Sequence, residues 1–237
     1  MRRRELLGIT AMGLGLPTRA EPMQRLRIST LLEADPASAL AERILREAYQ
    51  RTGLRLELVH MPGERSLLSA NAGETDGELY RREGIEAVYP NLVRVPVALM
   101  SYEIVAFTLT LKNLQLQGWE SLRPYKIGFV KGIKIIEDHL HGYEAESVAS
   151  MTQALRKLQL GRSDLVLANR ITGLAEAQAL RLPDLVQLEP PLATFPVFHY
   201  LNRSHLALVK PLSNSLQEME DAQLIRRYQQ EAMAAYR

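Results

Sequence analysis

The sequence predicts an α/β protein of two similar lobes, each a mostly parallel sheet flanked by helices, joined by a two-strand hinge. Three observations predict it. Short apolar strands alternate with helices over residues 25–108, and the alternation restarts near Lys126. A Gly-x-x-Asp tetrad joins helix to strand once in each series, at Gly73 to Asp76 and again at Gly161 to Asp164. Alternation of this kind makes a parallel sheet covered by helices. The echoed tetrad has two readings, internal similarity of the lobes or a chance match, because glycine ends many helices.

The first lobe opens with a strand over Arg25 to Leu31. Asp35-Pro36 then supplies an N-cap and a proline at the first helical position. Leu40, Ile44, Leu45 and Ala48 recur on one helical face, and Gly53 sits where a left-handed residue ends a helix. Leu54, Leu56 and Leu58 alternate with charged residues, the mark of a half-buried strand. A short helix from Glu64 to Ala72 follows, then strands at Asp76 to Leu79, Leu92 to Val95 and Glu103 to Thr108.

The second lobe reads as strand Lys126 to Val130, helix Ile133 to Leu140 and strand Glu144 to Val148. Ser150 caps a helix whose buried face is Met151, Ala154, Leu155 and Leu158. Strand Leu165 to Ala168, helix Ile171 to Leu180 and strand Leu185 to Leu188 complete it. A strand from Pro196 to Asn202 and helices at His205 to Glu218 and Asp221 to Ala235 close the chain. If that tail returns to the first lobe, the chain crosses between lobes near Phe107 to Leu111 and near Pro190 to Pro196. The expected division is then 21–108 with 196–237 for the first lobe and 109–195 for the second.

Residues 1–20 read as a cleaved secretory signal: basic Arg2-Arg3-Arg4, an apolar run from Leu6 to Leu16, and a small residue at the cut after Ala20. Arg3-Arg4-Glu5-Leu6-Leu7 also fits a twin-arginine export motif. The run is too short to span a bilayer, which takes about 20 apolar residues. Of 29 basic and 27 acidic residues, the signal carries Arg2, Arg3, Arg4, Arg19 and Glu5, so the mature chain has a net charge of −1. A nucleic-acid partner and an anionic membrane surface are therefore not expected. The chain has no cysteine, which excludes disulfides and a lipid-bearing cysteine. The expected place is the periplasm, with no membrane anchor.

Four strings carry a family resemblance: Met61-Pro62-Gly63-Glu64-Arg65-Ser66-Leu67, Gly73 to Arg81, Tyr89 to Pro96, and Lys131-Gly132-Ile133. With the strand and helix series, they make residues 24–220 resemble the type II periplasmic binding proteins, the solute-binding family that includes the amino-acid receptors of transport systems. The resemblance implies a ligand held between the lobes by loops at the carboxyl ends of the sheet strands, as in open α/β sheets generally. It also implies a monomer that hands its ligand to an inner-membrane ABC permease, with no cofactor.

Candidate ligand-binding residues follow from position. Arg81 lies just beyond its strand, where a guanidinium can grip a carboxylate through two parallel hydrogen bonds; the alternative is a solvated charge. Arg65 opens the short helix and either helps hold an anion or pairs with Glu64 or Glu83. Glu33 follows the first strand and could face a cationic part of the ligand. In the second lobe, Gly132 and Ile133 start a helix whose free N–H groups attract an anion, with Lys131 adding charge. Transport-type amino-acid receptors usually place a hydroxyl residue here. They also carry an aspartate five residues beyond the Gly-x-x-Asp carboxylate, where this chain has Asn169. An amide cannot neutralise an ammonium, which weighs against a free α-amino acid. Tyr102 and Trp119 either line the cleft or belong to core and interface.

No metal or nucleophile motif emerges. His139 and His141 are two apart on an expected helix and point apart, and no Gly-x-Ser-x-Gly, phosphate loop or His-Glu-x-x-His string occurs. The expected function is reversible capture of a small polar or anionic ligand, amino-acid-like or an organic acid. The alternatives are a dehydratase-like enzyme, with Glu33 as its acid or base, and a sensing module without transport.

Overall fold

The computed structural model describes residues 24–32 and 35–236. Residues 1–20, expected to be an export signal, and Glu33 lie outside the described residues. In chain order the strands are β1 (Arg25–Leu31), β2 (Arg55–Met61), β3 (Gly77–Arg82), β4 (Leu92–Thr108), β5 (Ile127–Val130), β6 (Ala145–Val148), β7 (Leu165–Asn169), β8 (Val186–Gln187) and β9 (Ala193–Asn202). The helices are α1 (Pro36–Arg51), α2 (Gly63–Ala72), α3 (Lys134–His139), α4 (Met151–Gln159), α5 (Arg170–Ala179), α6 (Leu206–Asp221) and α7 (Leu224–Ala234).

All strands join one sheet in the order β2-β1-β3-β9-β4-β7-β5-β6, with β8 beside β4. Each end is a parallel three-strand unit, β2-β1-β3 and β6-β5-β7. Between them run the antiparallel strands β9 and β4, which belong to both halves. Three main apolar cores follow from this layout. One packs α1, α6 and α7 against the first half, around Ile28, Leu45, Tyr49 and Leu216. The other two cover the two faces of the second half, around Leu122 and Leu167, and around Phe107 and Leu155.

The echoed tetrads turn out to be equivalent in structure. The Asp76 carboxylate accepts the Arg27 N–H at 2.6 Å, and the Asp76 N–H returns to the Arg27 carbonyl at 2.7 Å. In the second half the Asp164 carboxylate accepts the Lys126 N–H, and the Asp164 N–H returns to the Lys126 carbonyl, both at 2.8 Å. Each aspartate thus clips the entry of one strand to the entry of its parallel neighbour. The glycine three residues earlier, Gly73 or Gly161, takes the positive φ that ends the preceding helix (+80° and +66°).

Several boundaries move. Residues 96–102, expected to separate two strands, are strand as well, so β4 is a single element of 17 residues. Its register against β9 shifts between Arg94 and Met100, and the exposed Pro96, which has no N–H to give a ladder, falls inside that irregular stretch. Ile104 to Thr108 pair with β7 and β8, and Ile104 to Phe107 pack in the second half's cores, not the first's. The pairing of β4 passes from β9 alone to β9 and β7 together at Ile104, opposite Ala193 of β9.

Candidate functional site

The carboxyl ends of β1 and β3 face those of β5 and β7 across the paired strands β4 and β9. Five residues after the clipping aspartate of each half comes Arg81 at the end of β3 and Asn169 at the end of β7. These are the strands that directly flank β9 and β4. The tetrad thereby marks two equivalent points on either side of the crossing.

Arg81 arrives there through a bulge. On β3 the step from Glu78 to Arg81 is matched on β9 by the shorter step from Tyr200 to Phe198. The extra residue re-aims the strand, so that two side chains three apart, which normally point to opposite faces, come together. Arg81 Nη2 lies 2.6 Å from Glu78 Oε1 and also donates to the Gly63 carbonyl at 3.3 Å. Glu78 is 1% exposed, and its second oxygen accepts the hydroxyls of Ser29, at 2.9 Å, and Ser66. Arg81 Nε is sealed from solvent without an acceptor. The guanidinium is thus largely committed to a buried carboxylate.

Asn169, 4% exposed, caps α5: its Oδ1 accepts the N–H of Ile171 at 3.0 Å and of Thr172 at 3.3 Å. A cap of this kind stabilises a helix by about 1 kcal/mol. One residue on, Arg170 pairs with Glu103 on β4 and, at 2.6 Å, with Glu189 beyond β8. This staples both crossing strands' surroundings to the start of α5.

Asp35 is the residue whose second role sequence reasoning missed. As expected it caps α1, accepting the N–H of Ala37 at 2.8 Å and of Ser38 at 3.1 Å. It also accepts the Thr172 hydroxyl at 3.2 Å, a direct hydrogen bond from one half to the other. At the rim Arg82 Nη2 and Asp138 Oδ2 come within 3.8 Å across the same gap. Beneath them runs a row of rings. Tyr80 lies 6.2 Å from Tyr102, and Tyr102 lies 5.5 Å from Phe195, centroid to centroid. Tyr102 and Phe195 are register partners on β4 and β9, and both pack against the first half's core and one core of the second. Burial, then the Asp35 carboxylate, push the Tyr102 phenol well above its ordinary value. The aromatic row has a faint sequence signal, since Tyr80 and Phe195 fall at strand ends beside the crossings.

The other candidates stand further out. Arg65 is exposed, and its expected partners are otherwise engaged: Glu64 accepts the Tyr89 hydroxyl at 2.9 Å and Glu83 pairs with Arg94 at 2.7 Å. The expected anion-binding turn is also different. α3 starts at Lys134 and has six residues, and the Gly132 N–H donates to Glu137 Oε1 at 2.7 Å. Gly132 adopts a φ of +95°, Ile133 precedes the helix, and Lys131 is exposed. Trp119 stacks on His139 at 4.3 Å and packs on a core of the second half. Among the described residues no group of three or more His, Asp or Glu could hold a metal ion.

Behind β3 the buried His199 Nδ1 donates to the Glu78 carbonyl at 2.8 Å, so Nε2 accepts the Tyr49 hydroxyl, also at 2.8 Å. Burial holds the ring neutral, with its pKa lowered from 6.5 to about 4. Between those values the unfolded chain binds a proton that the fold refuses, so stability falls as pH drops from 6.5 to about 4 and then levels. The expected loss is about 3 kcal/mol. Denaturant unfolding across this range should show it in the native chain and lose it in His199→Gln.

No family model matches the chain. An uncharacterised protein of Shewanella oneidensis is 25% identical over 207 residues, covering 83% of this chain and 76% of that protein. Among solved structures, the GluR0 ligand-binding core complexed with L-glutamate superposes with a TM-score of 0.77 at 13% identity, over 90% of this chain and 100% of that one. AbpA, an amino-acid ABC transporter substrate-binding protein of Streptococcus pneumoniae bound to L-arginine, gives 0.71 at 14% identity, over 89% and 95%. The fold is that of the type II periplasmic binding proteins. The expected α/β architecture, a sheet flanked by helices, holds. Among the described residues no helix is long and apolar enough to cross a membrane.

Proposed function

We propose that this chain is an exported solute-binding protein that closes its two halves around a small polar ligand and presents the closed form to an ABC-type permease. The observation that carries the reading is the placement of Arg81 and Asn169 at matching strand ends on either side of the paired crossings. A ligand between them meets both halves, and only a ligand with higher affinity for the closed arrangement shifts the equilibrium toward it. The Asp35–Thr172 hydrogen bond gives that arrangement a contact of its own. The binding of L-glutamate by the GluR0 core and of L-arginine by AbpA supports a solute of amino-acid size.

The reading is tested by a thermal-shift screen of amino acids, organic acids and amines, followed by solution scattering of any hit. A ligand at 100 times its Kd should stabilise the fold by about 2.7 kcal/mol. That raises Tm by about 5–11 °C for a chain of this size, with a smaller radius of gyration in the bound form. Catalytic turnover of a hit, as by a dehydratase, or binding without compaction would overturn it.

A further inference from the structure

We infer that the ligand is an organic cation, an amine or guanidine, recognised by Asp35 and the rings of Tyr80 and Tyr102, with no carboxylate required. The inference rests on the capture reading and gives its ligand a charge. The expected carrier of an anion preference is Arg81, but its charge is matched by the buried Glu78, Nη2 is spent on that carboxylate and on the Gly63 carbonyl, and Nε, though without an acceptor, is sealed from solvent. The helix start of the second half is likewise occupied, by Glu137 on the Gly132 N–H. What remains unmatched is negative. Asp35 has no cation within 4 Å among the described residues, and all its recorded partners are neutral: the N–H groups of Ala37 and Ser38 and the hydroxyls of Ser38 and Thr172.

Its neighbours fit a cation as well. The Tyr80 hydroxyl lies 3.4 Å from Ser38 Oγ, which donates to Asp35 at 2.9 Å, so the aromatic row begins at the carboxylate. Ring faces attract ammonium and guanidinium groups, most strongly when desolvated. Burial raises the pKa of both tyrosines most, and after it Asp35 raises them more than Arg81 lowers them. The nearby positive charges are matched or elsewhere: Arg81 is paired with Glu78, Arg170 with Glu103 and Glu189, Arg65 and Lys131 are exposed, and Arg82 sits at the rim opposite Asp138. An incoming cation gives Asp35 the charge partner it lacks on the carboxylate that the Thr172 hydroxyl already reaches from the second half, so the ligand adds to that contact between the halves.

The test compares agmatine and putrescine, which lack a carboxylate, with L-arginine and with the anions glutarate and L-glutamate, by calorimetry at low salt on the full mature chain. The amines are expected to bind, and Asp35→Asn is expected to weaken them tenfold or more through loss of a charge-assisted contact. Asparagine caps helices as well as aspartate does, so the variant should keep the native Tm within a few degrees. Amine affinity unchanged in Asp35→Asn overturns the inference, as does silence from every amine. Glutarate binding with compaction in scattering overturns it too, while leaving the capture reading in place. Amine binding that depends on Asp35 but brings no compaction supports the charge assignment and sinks capture.

Discussion

Arg81→Ala is expected to lower the stability of the fold by about 3 kcal/mol, before any ligand is considered. Breaking a buried ion pair by removing one partner costs about 3–5 kcal/mol, because the other charge is left without compensation. The low end applies here, since the hydroxyls of Ser29 and Ser66 still hold one oxygen of the stranded Glu78. For a chain of this size the loss corresponds to a fall in Tm of about 6–12 °C. Urea unfolding of Arg81→Ala, Glu78→Gln and the double variant checks it. Glu78→Gln should cost less, as the remaining guanidinium is 19% exposed and can turn to water. A coupling energy near zero between the two positions would show that the pair does not hold β3 in its bulged course.

Gly77→Ala should be at least as damaging. A Cβ there would lie 2.2 Å from the Tyr200 carbonyl oxygen and 3.1 Å from Leu201 Cα, both backbone atoms of the paired strand. No rotamer change relieves a clash between two main chains, so β3 and β9 must separate where the first half is joined to the crossing strand. Overpacking of this kind costs about 1–3 kcal/mol and occasionally more, and the fixed neighbour puts this site at about 3 kcal/mol or above. Circular dichroism melts and soluble yield measure it. A melt within a degree of the native chain would mean that the two strands lie further apart than described.

Much of the fold was legible because its signals are local. The cap at Asp35, the apolar face of α1, the cap at Ser150 and the face of α4 all depend on residues within a few positions of one another, and they hold as read. What the sequence could not convey depends on pairing. The continuous course of β4 through Pro96 needs β9 alongside it, and the hand-over of Ile104 to Thr108 to the second half needs β7. Of the candidate site, Arg81 could be named from its place beyond a strand and Asn169 from the second tetrad, but neither residue announces its partners. Only the bulge joins Arg81 to Glu78, and only the approach of α5 to α1 gives Asp35 its bond to Thr172. Gly132 was misjudged on a local question, because Glu137 lies within reach of the N–H that was expected to be free.

The sheet that unites the halves also has two borders, β2 at one end and β6 at the other, each with main-chain groups that no further strand pairs among the described residues. β2 carries Arg55, Glu57 and His60 among its leucines, with Arg25 paired to Glu57 at 3.2 Å, and β6 carries Glu146 in ion contact with Lys157. Charges spaced along a border repel an incoming strand that would otherwise extend the ladder. The chain is thereby discouraged from stacking edge to edge with its copies, even though its architecture offers them two places to begin.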